Sequence, residues 1–468
     1  MRKRCCIASI ALFITLFPLI SALFAQSAGT TIQDSLVSVF SAQSNMPGIL
    51  WNKTYGGVLS DYAYSIAQTP DNGFILAGST YSFGNGSSDF WLVKTDASGN
   101  MQWSKNYGDI GNDEAHAIAM AHDGGYVVLG TTNSFGAGSA DFWLVKTDQS
   151  GDILWNRTYG GVGDDDAWSI EVTADGDLIL AGWTTSFGGA DFWLVKTDQS
   201  GNVLWNKTYG GPLLEILSSV QIVSDGGYVL IGSAYSSDGD SDFWLVKTDS
   251  SGNEEWNQTY GGASNDFGFS IVETFDNGFA VAGSTSSYGS GIYDFWLIRT
   301  DQSGNPLWNK TYGGLGYDEA WSIMQTTNRG LVLTGWTESV GIGSSDCWLV
   351  ATDPIGKVQL NVTFGGADCD YSYFALQSID GNFTVAGETR SFGEGDSDFL
   401  LFKVLARIPG DLNGDGIVDI FDITTVALAF SATPSDPNWD STADTNNDNI
   451  VDIFDIVAVA VHFGEIGP

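Results

Sequence analysis

From Gly48 onward the chain alternates short apolar stretches with turn residues, at a spacing too tight for helices. The first complete unit shows the pattern. "DYAYSIAQ" alternates, "TPDNG" turns, "FILAGST" is almost continuously apolar, and "YSFGNGSS" is a loop. "DFWLVKT" follows, rich in β-branched and aromatic residues, then the turn "DASGN" and the stretch "MQWSKNYG". Runs of this length bounded by Gly, Asn, Asp and Ser predict four short strands, and nothing in the unit carries the 3.6-residue period of a helix.

The unit repeats. The Trp of "DFW" stands at Trp91, Trp143, Trp193, Trp244, Trp296 and Trp348, with Leu400 in the seventh slot, at steps of 52, 50, 51, 52, 52 and 52 residues. Seven four-stranded units predict an all-β, seven-bladed β-propeller over residues 48–407. The last unit stops after its third strand, "SDFLLFKVLA", while an orphan fourth strand, "GILWNKTYGG", stands before the first unit. Gly48–Thr54 is therefore expected to complete the last blade and close the ring without an open edge. Kelch repeats share the period, but they end the second strand with a Gly pair, and here "ILAGST" has one Gly. The turn "TDQSGNVLW" is similar to the Asp-box of sialidases, yet its spacings are one residue too long, and the ring carries few arginines.

Composition sharpens the address. The formal net charge is -38, which argues against nucleic-acid or anionic-membrane partners. "MRKR" followed by the uncharged run Cys5–Ala25 has the layout of a secretory signal over residues 1–25, the alternative being a retained signal anchor. Either places the remainder outside the cell, with a membrane contact only if the segment is retained. Residues 26–47 are polar and Ser-rich and read as a disordered linker. Asn52, Asn156, Asn206, Asn257, Asn309 and Asn361 begin sequons, as copying a repeat would produce.

The region 408–468 has a different chemistry. No Lys or Arg follows Arg407, and two near-copies appear, "DLNGDGIVDIFD" at Asp411–Asp422 and "DTNNDNIVDIFD" at Asp444–Asp455. Oxygen donors fall at positions 1, 3, 5, 9 and 12, namely Asp411, Asn413, Asp415, Asp419 and Asp422, then Asp444, Asn446, Asp448, Asp452 and Asp455. The position-7 carbonyls of Ile417 and Ile450 complete two shells for calcium, one ion per loop. Gly416 and Asn449 suit the sharp turn at position 6.

On these loops, and on the apolar segments "ITTVALAF" and "IVAVAVHF" behind them, residues 409–464 resemble a type I dockerin domain. The resemblance implies two loop–helix calcium units that dock to a cohesin-like protein on a scaffold or cell surface, often in polysaccharide-degrading complexes. It also implies a partner contact at the pair before the last ligand. That pair is often Ser-Thr in the family and is Ile420–Phe421 and Ile453–Phe454 here.

No catalytic motif stands out in the ring. His116 and His122 are its histidines, and neither has the context of a triad. The column Asp61, Asp113, Asp165, Glu215, Asp266, Asp318 and Asp370 recurs in every blade, which points to a turn or cap role. Residues that break the repeat are more informative. Trp168 and Trp321 share a first-strand slot otherwise held by Tyr64, His116, Ser218, Phe269 and Tyr373, and Trp183 and Trp336 end the second strand in the same two blades. Their simplest role is packing between blades; their functional role is a ligand platform on one face. Cys347 and Cys369 lie at strand ends expected to be close, so a disulfide is a candidate. The sequence thus reads as an extracellular, non-catalytic propeller that binds a glycan or protein and is displayed through its dockerin. The alternative is a polysaccharide hydrolase or lyase using ring carboxylates.

Overall fold

The middle strands of each repeat, such as Phe74–Thr80 and Asp89–Thr95, are buried at every position, while the fourth strand, such as Met101–Tyr107, is largely half-buried or exposed. A strand reads as continuously apolar when both of its faces are covered, here by the neighbouring blades. In the computed structural model, which describes residues 38–40, 48–406, 411–412, 418–440, 443–445, 449–461 and 463, six four-stranded antiparallel sheets and one five-stranded sheet form the seven blades of a β-propeller. Blade 1 runs Asp61–Gln68, Phe74–Thr80, Asp89–Thr95 and Met101–Tyr107, each strand paired with the next. The readings made on residues 1–25, Asn413, Asp415, Ile417, Asn446 and Asp448 lie outside the described residues.

The ring closes as the orphan strand requires. Ile49–Gly56 pairs antiparallel with Asp398–Val404, with Tyr55 opposite Phe399, and the Leu405 amide donates to the Gly48 carbonyl at 2.7 Å. Within the segment read as a disordered linker, Ser38–Phe40 forms a short strand on the outer edge of Ile49–Gly56. An unpaired edge is a template for pairing, which is the physical reason for this departure.

A tyrosine latch ties each outer strand to the next blade. Tyr55, Tyr107, Tyr159, Tyr209, Tyr260 and Tyr312 donate to the carbonyls of Gly99, Gly151, Gly201, Gly252, Gly304 and Gly356 at 2.5–2.8 Å. The seventh position is Phe364. Its neighbour, blade 7, has no turn between third and fourth strands, because the chain leaves the ring there. The missing hydroxyl matches the missing acceptor.

Every first strand carries a bulge. Pairing skips Tyr64, His116, Trp168, Ser218, Phe269, Trp321 and Tyr373. The single Gly of the second strand serves this bulge: a Cβ on Gly78 would stand 1.8 Å from the Tyr62 carbonyl oxygen, and equivalent contacts recur at 1.8–2.0 Å up to Gly387.

Beyond the ring, α1 (Ile420–Leu428) and α2 (Ile453–Ala460) start at N-cap residues Asp419 and Asp452, each with a capping box completed by Asp422 or Asp455. Val418, Val426, Ala429, Ala443, Val451 and Val459 form their shared core. No helix among the described residues is long and apolar enough to cross a membrane.

Candidate functional site

The repeated acids hold loops. Asp61 accepts from the Thr80 hydroxyl, from Ser82 Oγ at 2.8 Å and from the Gly57 amide at 2.9 Å. Asp113, Asp165, Asp266, Asp318 and Asp370 repeat the hydroxyl contacts. In blade 4 Glu215 stands opposite Ala234, where no hydroxyl is present, and accepts from the Gly211 amide at 3.2 Å. The column is a cap, as its recurrence indicates.

A second acid column, the Asp of "DFW", meets the first between blades. A Cβ on Gly365 would lie 1.9 Å from Asp346 Oδ1 and 2.8 Å from Asp370 Oδ2, and Gly56 is flanked in the same way by Asp398 and Asp61. The Gly that follows the latch position, Tyr55 or Phe364, is therefore required, because an added Cβ would stand between two carboxylates. Burial, with the neighbouring carboxylate charge, pushes Asp346 up to about 7 and Asp398 up to about 6.

At the ring centre the bulge residues form an aromatic collar. His116 stacks on Trp168 with centroids 4.4 Å apart and planes 6° apart, and Phe269 stacks on Trp321 at 4.7 Å and 7°. Tyr64 meets His116 at 5.3 Å and Tyr373 at 5.1 Å, and Trp321 meets Tyr373 at 5.3 Å. Six rings thus run in sequence from Trp168 around to Phe269. Ser218 of blade 4 interrupts them. Burial opposes protonation of His116, but the hydrogen bond to Glu114 and the charges of Asp166 and Glu114 outweigh it and raise its pKa. Its Nδ1 lies 2.6 Å from the Ala167 carbonyl.

Around the collar, on the face that carries the long Gly/Ser loops, stand the other two tryptophans. Trp183 is paired across the sheet with Asp166, and Trp336 with Glu319. Trp168 Nε1 donates to Asp166 Oδ2 at 3.1 Å, and the Thr131 hydroxyl donates to Asp166 Oδ1. Trp336 meets Tyr371 edge-on at 5.3 Å. Glu114 accepts from the Tyr81 hydroxyl at 3.2 Å, and Glu388 accepts from Tyr373 at 3.1 Å and from Ser397 at 2.8 Å. The four off-repeat tryptophans are thus brought to one face. One side of Trp168 and of Trp321 is taken up by the collar. The carboxylates Glu114, Asp166, Glu319 and Glu388 escaped the sequence reading, although comparing the second residue of each first strand, Tyr62, Glu114, Asp166, Ile216, Phe267, Glu319 and Tyr371, exposes three of them.

In the calcium loops, Asp411, Asp422, Asp444 and Asp455 are buried, 0–6% exposed, in a region with no Lys or Arg. Asp422 accepts the amides of Leu412 at 2.7 Å and Asp419 at 2.8 Å, and Asp455 accepts those of Thr445 and Asp452, both at 2.8 Å. Asn449 has φ 67°, the left-handed turn that position 6 requires, and its amide donates to Asp444 Oδ2 at 2.9 Å. Buried hard oxygen donors without a basic side chain fit a divalent cation. Ile420, Phe421, Ile453 and Phe454 are 54–66% exposed at the starts of α1 and α2.

The candidate disulfide between Cys347 and Cys369 is not formed in the structure, and both residues are buried. Cys369 pairs with Ser345, so the strand ends are close, as expected. The Cys347 thiol, however, lies within the core shared with blade 7, and burial pushes its pKa well up.

Comparison with known proteins locates one family. The model of the dockerin type I domain matches residues 409–463. The chain therefore carries a type I dockerin domain, which implies calcium binding and docking to a cohesin. Regulatory protein FlaEY of Caulobacter vibrioides is 29% identical over 213 residues, 42% of this chain and 20% of that protein, so the match spans a fifth of the relative. The WD40 domain of Neurospora crassa Pan2 superposes with TM-score 0.46 at 8% identity, over 75% of this chain and 98% of that one. Drosophila Plexin A, in complex with Semaphorin 1b, gives 0.47 at 10% identity, over 80% and 91%.

Proposed function

We propose that this chain, a seven-bladed propeller joined to a type I dockerin domain, is an extracellular binding and display protein. Its dockerin docks to a cohesin through helices ordered by two calcium ions, with Ile420–Phe421 and Ile453–Phe454 as partner contacts. Apolar side chains more than half exposed at two equivalent helix starts support that contact. The loop face of the propeller recognises a glycan or a protein.

One observation carries the propeller reading. Twelve ring tryptophans pack in or against the cores between blades. Of the four that break the repeat, Trp168 and Trp321 pack between blades in the collar, and Trp183 and Trp336 lie outside both the collar and those cores. Trp183 and Trp336 are half-buried, each opposite a carboxylate, in blades 3 and 6. Flat aromatic faces beside fixed acceptors suit both sugar stacking and a protein hot spot.

The test is the secreted chain on a glycan array and a polysaccharide panel, read for both binding and released product. Binding without turnover, abolished by Trp183→Ala with Trp336→Ala while melting is nearly unchanged, is the expected result. Released oligosaccharides would make it an enzyme instead. A core role would show as a stability loss of about 3–5 kcal/mol with unaltered affinity.

A further inference from the structure

The collar has seven slots and six rings, and the seventh slot, in blade 4, holds Ser218. In the other blades the bulge slot holds Tyr64, His116, Trp168, Phe269, Trp321 and Tyr373, so the backbone there is already built to carry a ring. Trp168 spends one face on His116 and Phe269 spends one on Trp321, in near-parallel stacks. Blade 4 lies between them in the ring, and there half-buried Ser218 supplies only a hydroxyl, while Phe267 packs on Phe269 with centroids 6.5 Å apart.

The surroundings say which ring fits. At the mouth of this slot, Ile216 and Phe267 hold the position that carries Glu114, Asp166 and Glu319 in blades 2, 3 and 6. Asp166 has both oxygens engaged, by Thr131 and Trp168. A sugar ring would bring hydroxyls to a place lined by apolar side chains, whereas an aromatic ring brings none. Farther out the face is acidic, with Glu114, Asp166, Glu319 and Glu388 against Arg390, and with Asp238 and Asp240 in the blade 4 loop "YSSDGDS". The complement of that field is positive.

We propose that the Ser218 slot receives an aromatic side chain from a basic segment of a partner protein, which completes the collar between Trp168 and Phe269. The proposal rests on the reading that this face binds a ligand, and it narrows that ligand to a protein. Stacking on two faces and cation–π contact with the rim supply the affinity, and the carboxylates select basic neighbours.

The probe is the peptide acetyl-Lys-Trp-Lys-amide, titrated into the full calcium-loaded chain by NMR. Acetyl-Lys-Ala-Lys-amide and acetyl-Glu-Trp-Glu-amide are expected to bind about tenfold more weakly or not at all, the factor that one lost stacking or charge contact produces. Ser218→Trp places in blade 4 the residue that blades 3 and 6 already hold, and it is expected to melt like the parent and lose the peptide. Should that variant fail to fold, hydroxyl-radical footprinting of the parent chain decides, because bound peptide must protect Trp168 and Phe269. Equal binding of the alanine peptide, a folded Ser218→Trp variant with unchanged affinity, or absence of protection overturns the proposal. Glycan binding that depends on Trp183 and Trp336, with no peptide binding, overturns it and leaves the broader reading standing. No ligand on this face at all removes both.

Discussion

Mild acid should stabilise the ring, contrary to the usual behaviour of carboxylate-rich proteins. Where a carboxyl pKa is raised in the folded state, the neutral form is favoured there, and the folded chain holds protons that the unfolded chain releases. Stability therefore rises as pH falls through about 7 for Asp346 and about 6 for Asp398, and levels off near 4, where the unfolded carboxyls also protonate. His116 acts in the same direction: its raised pKa contributes stability below its ordinary value, lost as pH rises through the folded value. Moving Asp346 from an ordinary value near 4 to about 7 corresponds to ~4 kcal/mol. Halving this for solvent screening leaves ~2 kcal/mol, about 2–3 °C in a ring of this size. Tryptophan fluorescence reads the ring selectively, because all but Trp439 of the 17 tryptophans lie in it. Melting at saturating calcium is expected to rise between pH 8 and pH 5.5. Asp346→Asn, which mimics the protonated carboxyl beside Asp370, should raise melting at pH 8 and flatten the pH dependence. A melting temperature that falls on acidification, or an Asn variant destabilised equally at both pH values, refutes the paired-carboxylate reasoning.

Three further outcomes follow from the same structure. Deleting residues 48–54 removes the strand paired with Asp398–Val404 and should lower melting and cause aggregation through the opened edge; a truncated ring that melts like the parent places the seam elsewhere. Segment 408–468 expressed alone should gain helical circular dichroism on titration with two equivalents of calcium, and Asp411→Ala with Asp444→Ala should abolish the gain; unchanged spectra in calcium contradict the loop assignment. Cys347 and Cys369 should both alkylate under denaturing, non-reducing conditions, and an unlabelled oxidised pair by mass spectrometry refutes their unbridged state.

The ring was legible because repetition converts tertiary structure into sequence. An orphan "GILWNKTYGG" before the first unit, and a last unit ending at "SDFLLFKVLA", specify closure without coordinates. Phe364 in place of the latch tyrosine carries the same information once its acceptor turn is known to be missing. The collar was legible only as a column of unlike residues. That Trp168 lies on His116, and Phe269 on Trp321, depends on bulges that turn side chains of adjacent blades toward one axis, and no spacing within a blade encodes that meeting. The cysteines show the same limit. Their strand ends are adjacent, yet adjacency of backbones does not fix where a thiol points, and Cys347 is buried in the core shared with the next blade. Ser38–Phe40 was hidden by its polar context, because an edge strand is recruited by the edge it covers.

In the proposed function one chain joins a calcium-dependent dock to a recognition face. That function is tested most directly on beads coated with a type I cohesin and loaded with the full chain, then probed with the ligand that the array and peptide screens select. Capture of that ligand is expected to require calcium, to be lost in Asp411→Ala with Asp444→Ala at the loading step, and to be lost in Trp183→Ala with Trp336→Ala only at the capture step. Loading that ignores calcium, or capture that survives loss of both rim tryptophans in a folded chain, contradicts the account.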